Sequence, residues 1–404
     1  MILTVLISAL MFWTHPIDGR VQTLRTVTDN DFLQLPWIDQ EGNRRIEISF
    51  DMLENEEEDI RYRVVHCDRN WEATDISELD YADGFMPVTV NDRRPSWNTF
   101  VNYWHYSVTF PNDDIRLLLS GNYAVIFHTE DDPDTLLAVA TFSVTEQSAF
   151  VNGTVSPNTD IDYLAFHQQL TLNLSWSREQ LPWLDPGSEV TLAVTQNRQA
   201  RTRRLITAPS RMDASHAWYE HLRPLIFEAG NNWRRFEFTD KKYVTIGVES
   251  VGYHAPYYYA RLITDEARAA GHYIYDRDQE GRFLIAARGT DDADVEADYF
   301  YAQWTLDIPQ TLTPVYLTGD FLYGNLSDDT RMRWDADEGV YHCEKLLKQG
   351  AYNYQYVTSP DGAHLTFAQI EGNYYEAQNE YEVYVYYRPT GGRYDRLLSV
   401  ATFK

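Results

Sequence analysis

Any catalysis or metal binding in this 404-residue chain would be built from two cysteines, eleven histidines and 61 acidic side chains. Cys67 and Cys343 each follow a histidine, in His66-Cys67 and His342-Cys343, within alternating patterns that read as strands. A disulfide joining them would close a very long loop between two domains, with no local geometry to support it. A metal site would need more ligands at suitable spacing, and none stands near either pair. The expected state is two buried thiols that behave as small hydrophobes. Asp276-Arg277-Asp278-Gln279-Glu280-Gly281 resembles the start of a calcium loop but lacks the remaining ligands, so it reads as a polar hairpin turn. Asp335-Ala336-Asp337-Glu338-Gly339 reads the same way. No G-x-S-x-G elbow, H-E-x-x-H pair or phosphate-cradling glycine loop occurs. Carboxylate pairs abound, but a glycosidase needs two at a fixed separation across a cleft, which chain spacing does not supply. The expectation is no catalytic residue, no metal and no cofactor.

Composition points instead to a binding protein built from strands. The 29 Tyr, 18 Phe and 11 Trp favour β structure, where a flat ring packs across a pleated surface. The formal charge of −27 argues against a phosphate-backbone or anionic-lipid partner, because like charges repel. Basic residues gather at Arg198, Arg201, Arg203 and Arg204, which read either as a solvated hairpin tip or as a contact for an acidic surface.

Strand patterns position whatever the chain presents. Arg45–Phe50, Tyr62–Cys67 and Tyr103–Phe110 alternate with period two. Asn122–Phe127, an acidic turn over 130–134 and Leu137–Val144 read as a hairpin that closes a first domain. Leu136-Leu137-Ala138-Val139-Ala140-Thr141-Phe142 is echoed at the chain end by Leu397-Leu398-Ser399-Val400-Ala401-Thr402-Phe403, so two modules finish with a similar hairpin. Short helices are possible near Trp218–Phe227 and Asp265–Ala270, and Asp291–Glu296 reads as an exposed acidic loop. The apolar run Ile2–Trp13 suits a secretory segment and is too short to span a bilayer. The expected division is a signal segment over 1–19 and an N-terminal β-sandwich over 20–147. A middle β domain over 148–307 and a C-terminal sandwich over 308–404 follow.

The C-terminal region runs from Thr313–Thr318 into Gly319-Asp320-Phe321, and later through Gly350-Ala351-Tyr352-Asn353-Tyr354. This order resembles the early-set immunoglobulin-like modules of glycogen-binding domains, in which the two segments lie side by side. The resemblance covers about a hundred residues, and with the strand patterns along the chain the expected fold is all-β, with tandem immunoglobulin-like or early-set β-sandwich domains. The resemblance also carries an alternative function, a carbohydrate-binding or cell-surface scaffold protein, with Tyr323 or Trp334 offering a ring face.

One stretch stands apart from generic strand and turn. It runs through Val65–Trp71, Ser77–Phe85 and Asn98–Tyr106 to Phe110-Pro111-Asn112, with a long aromatic and acidic connection between Trp71 and Asn98. Long ordered loops are often functional, although such a loop also serves to cap an apolar edge of its own domain. Together with Leu119–Tyr123 and Glu371–Tyr381, this stretch resembles the plug protein of the type IX secretion system. The resemblance implies a non-catalytic periplasmic protein, associated with the outer membrane through a protein partner, that seals the translocon barrel when idle. The implied state is a monomer within a hetero-complex, with no nucleic acid and no direct membrane insertion. Asp80, Tyr81, Phe85, Trp97 and Tyr103 are the residues expected to take part in docking.

Overall fold

The computed structural model describes residues 12–182, 184–360 and 365–404. Nearly all of its regular secondary structure is strand, gathered into three two-layer sandwiches. In the first, one sheet runs in the order His15–Pro16, Leu136–Thr145, Gly121–Thr129, Ile60–Cys67 and Val88–Thr89. Trp37–Asp39 adds to Leu136–Thr145 in parallel. The facing sheet is Val21–Thr28, Ile46–Met52, Trp104–Phe110 and Asp92–Pro95. Alternation does the sorting: Ile60, Tyr62 and Val64 turn inward while Arg61 and Arg63 turn away. Gly121–Thr129 is buried along its whole length because it is flanked on both edges and covered on both faces. Rings fill the layer between the sheets, with Phe50 centred 5.5 Å from Tyr106 and 5.0 Å from Phe127.

The second sandwich does not end where the sequence division places it. Its first sheet holds Ala149–Ser156, His167–Trp176, His216–Tyr219 and Arg211–Met212, with Ile226–Glu228 on His167–Trp176. Its second sheet is Arg204–Ile206, Val190–Gln196, Tyr381–Tyr387 and Arg396–Phe403. The last hairpin of the chain therefore completes this middle sandwich, with Val385 opposite Leu192 and Val383 opposite Val194. The expected boundary at 307/308 crosses the third sandwich, which is inserted between Glu228 and Tyr381. Strand pairing is non-local, so nearness in sequence says little about which sheet a hairpin closes. The matching hairpins expected at 136–142 and 397–403 both form, against Gly121–Thr129 and Tyr381–Tyr387.

The third sandwich faces Arg234–Phe238, Gly350–Thr358, Phe283–Ile285 and Val315–Thr318 against a larger sheet. That sheet runs Val248–His254, Tyr257–Leu262, Tyr299–Asp307, Val340–Lys348 and Arg333–Asp335, with Asp265–Glu266 on Tyr299–Asp307. The two segments expected to lie side by side do so, with Leu317 opposite Tyr356. Phe236, Trp304, Phe321 and Tyr352 form its ring-filled centre.

Three local expectations are corrected. Residues 12–19, placed in the signal segment, belong to the first sandwich: Phe12 is buried and His15–Pro16 pairs with Leu136–Thr145. The rest of that segment lies outside the described residues. The helix expected over 218–227 is instead the end of strand His216–Tyr219, a 3₁₀ turn at Arg223–Leu225 and a short strand from Ile226, and the one expected at 265 starts as strand Asp265–Glu266. Acids at 291–296, expected in an exposed loop, lie where the first and third sandwiches meet, around a helical turn at Ala293–Glu296. No described helix is long and apolar enough to cross a membrane.

Candidate docking site

The five residues expected to dock separate into two groups. Tyr81 is only 7% exposed and donates its hydroxyl to Val64 O at 3.1 Å, so it caps the first core. Tyr103 is 1% exposed, stands edge-on to Tyr299 with ring centres 5.4 Å apart, and donates to Ala297 O at 2.8 Å. Neither ring can meet a partner without unfolding its surroundings, so both are corrected to positioning residues. Phe85 is 97% exposed and Trp97 72% exposed. Asp80 is exposed and lies 3.4 Å from Arg393 at the edge of the second sandwich.

The long connection after Trp71 does two jobs. It is pinned to its own domain by Ala82–Gly84 against Ile115–Leu117, Val88–Thr89 against Arg61-Tyr62, and Asp92–Pro95 against Trp104–Ser107. Pinned this closely, it holds Leu79 and Phe85 out in solvent. Gly84 makes the approach possible: its φ is +145°, and a Cβ there would sit 2.2 Å from the Asp114 carbonyl oxygen.

Trp97 lies three residues before an aromatic contact that crosses from the first sandwich to the third. Its N–H donates to Val295 O at 2.8 Å. Three residues on, the Phe100 ring stands 5.2 Å from Tyr253 and 5.8 Å from Tyr258. Asp298, fully buried, organises this crossing. Its carboxylate accepts from the N–H of Phe100 at 2.9 Å and of Val101 at 3.1 Å, and from Lys241 at 2.9 Å. Lys241 in turn lies 5.4 Å from the Phe100 ring centre. Chain spacing gave no sign of this arrangement, because its parts come from residues far apart in sequence.

Beneath the aromatic contact lies a buried ionic cluster. Asp51 accepts from Lys348 Nζ at 2.6 Å, from the Tyr299 hydroxyl at 2.6 Å and from His105 Nδ1 at 2.7 Å. Lys348 also donates to Asp294 O at 2.6 Å, and Arg25 pairs with the Asp294 carboxylate at 2.6 Å. Burial pushes the Asp51 carboxyl up, but the Lys348 charge and His105 outweigh it and hold the group at about 2. Burial pulls the Lys348 ammonium below its ordinary value against the raising effect of Asp51.

The other two seams are fastened in the same manner. Between the first and second sandwiches, buried Asp395 accepts from Arg69 N–H and Nη1, both at 2.9 Å, and from Arg388 Nη2 at 3.0 Å. Arg396 pairs with Glu146 there at 2.6 Å. Between the second and third, Arg282 and Lys404 meet Glu380, and Lys404 also meets Glu280. Beside them, burial pushes the Glu382 carboxyl up to about 7 although Arg282 and Arg198 pull it down. The arginines at 198 and 203 reach across to the first sandwich: Arg198 donates to Leu33 O at 2.5 Å, and Arg203 reaches Arg69 O.

The other candidate chemistry is spent on structure. Cys67 and Cys343 are both free, Cys67 buried and Cys343 half-buried, and burial pushes the Cys343 thiol up to about 11. Asp278 accepts from Trp233 N–H at 2.7 Å and Glu280 N–H at 2.9 Å, which makes it a turn-former. Among the described residues no group of three or more His, Cys, Asp or Glu is placed to hold a metal ion. Tyr323, half-buried, packs against the first core, and the half-buried Trp334 meets Tyr341 edge-on with ring centres 4.9 Å apart.

Residues 21–146 match the family model described as Type 9 secretion system plug protein 1st domain. None of the curated proteins matches the chain. A crystal structure of a hypothetical protein from Parabacteroides merdae is 37% identical, covers 97% of this chain and 99% of its own, and superposes with a TM-score of 0.95. The matched segment spans the first sandwich apart from its edge strand His15–Pro16 and includes the connection that holds out Phe85 and Trp97, and the chain belongs to the type 9 secretion system plug protein family.

Proposed function

We propose that this chain is a non-catalytic periplasmic plug that docks on the outer-membrane translocon barrel of the type 9 secretion system and closes its periplasmic opening when idle. The match of the first sandwich to the plug family carries the reading. Physical requirements of such a part agree with it. A wide protein-conducting pore needs a stiff body over it, and three sandwiches tied by buried charge at every seam resist bending apart. It also needs exposed anchors that leave the fold undisturbed when they engage. Phe85, Trp97 and Phe100 are exposed rings on ordered backbone, the kind of side chain that supplies most of an interface's affinity. Asp80 joins Phe85 on the same connection, and the overall acidity favours a partner rim that is neutral or basic.

The test is binding of the purified chain to the purified translocon barrel in mild detergent. Wild type should bind, and Phe85→Ser with Trp97→Ser should bind at least tenfold more weakly with an unchanged melting temperature. Failure of wild type to bind would overturn the reading.

A further inference from the structure

We propose that strand Val248–His254 accepts an added strand from the partner, so that docking includes main-chain pairing along this edge. The inference rests on the docking reading above and names its mode. Val248–His254 is the outermost strand of the large sheet of the third sandwich and pairs on one side only, with Tyr257–Leu262. In an antiparallel strand alternate residues turn both N–H and C=O to one edge, so half of this backbone points away from Tyr257–Leu262. Among the described residues, no other backbone group bonds to 249–254. The strand is exposed over nearly all of that length.

Natural sheets blunt such edges with lysine, proline, bulges or a covering segment. Here one irregularity between Val248 and Ser250 marks the start, and Glu249 is the only acidic or basic (Asp, Glu, Lys or Arg) side chain in the strand. Gly252 adds a second observation. Its φ is not positive, and nothing lies within 4 Å of where a Cβ would stand. Neither conformation nor crowding calls for glycine there, yet glycine in a strand costs about 0.5–1 kcal/mol. A glycine so placed leaves room for close approach by another backbone.

Rings flank the edge on both faces. Tyr253 stands 4.9 Å from Tyr258 and meets Phe100 on one face. On the other, Tyr259 stacks on Tyr301 at 5.2 Å. An incoming strand alternates its side chains between the two faces, so apolar residues placed beside Gly252 and Tyr253 would meet Tyr259 on one face and Tyr253 on the other. The occupant is therefore an extended, apolar segment of the partner, uncharged or basic. A second copy of this chain is the poorer fit, because each copy carries −27.

Proline tests the edge directly. Adjacent residues point their N–H groups to opposite edges, so Val251→Pro and Gly252→Pro remove one inward and one outward donor. The variant that retains the wild-type melting temperature is the one that alters only the free edge. It should bind the purified barrel at least tenfold more weakly than wild type. Hydrogen exchange of the wild-type complex should show amides within 249–254 slowed at least tenfold, a readout that stands even if both variants unfold. Wild-type affinity in the tolerant variant, or unchanged exchange in a formed complex, would overturn the edge proposal alone. No binding by wild type would instead bring down the docking reading and this inference with it. Concentration-dependent dimerisation that the tolerant variant abolishes would overturn the choice of occupant.

Discussion

Lys348 and Asp51 come from different sandwiches and lie 2.6 Å apart with both side chains out of water. Two such charges repay their desolvation only together, and removing one leaves the other unpaired. Lys348→Met should therefore cost about 3–5 kcal/mol in urea unfolding, and adding Asp51→Asn should return part of that loss. A loss below ~1 kcal/mol would mean that the seam is wet and its charges screened. Glu382 gives a pH signature. Burial raises its carboxyl to about 7 in the folded chain, from an ordinary value of 4.5. The folded state thus holds a proton that the unfolded state releases. Its contribution is full below pH 4.5 and is lost as pH rises through 7. Glu382→Gln, which cannot ionise, should melt above wild type at pH 8 and lose that advantage by pH 5. Equal melting shifts at both values would remove the titration from the seam.

At the scale of the element, the connection between Trp71 and Asn98 shows how one segment serves both core and surface. Its aromatic and acidic mixture was legible in the sequence as unusual, and the residues proposed from it all lie on or beside it. Which of them face solvent was not legible. Tyr81 ends a four-residue helical turn, Glu78–Tyr81, that buries its ring, while Phe85 follows a glycine that carries the chain back outward. Replacing both with Ala would confuse docking with folding. Tyr81→Ala alone should cost about 3–5 kcal/mol, as for other large buried rings. Phe85→Ala alone should stay within about 0.5 kcal/mol of wild type in the same unfolding measurement. Comparable losses from the two would show that Phe85 also packs. The acidic run at 291–296 teaches the converse: a charged, loop-like sequence is taken up into a seam because Arg25 and Arg94 meet it there.

For the whole molecule, the third sandwich is inserted into the second, and the chain end returns to finish the sheet it left. A fragment of residues 148–307 lacks Tyr381–Tyr387 and Arg396–Phe403, leaving Leu192 and Val194 without their facing hairpin. It should not give a dispersed amide spectrum, whereas residues 148–404 should; a folded 148–307 would refute this assembly. The sequence by itself determined the all-β class, because period-two alternation is a local property of strands and needs no knowledge of what they touch. It determined the hairpin-closing strands at 136–145 and 396–403 through their repeated segment after an aromatic strand and a turn, and its first-domain motifs pointed to the plug family. Only the tertiary structure decided which sheet each hairpin completes and which rings are exposed rather than core. Only the tertiary structure, too, joined Asp51 to Lys348 and Asp395 to Arg69. Such contacts join residues hundreds of positions apart, and their strength comes from the exclusion of water, which exists only once the sandwiches have packed.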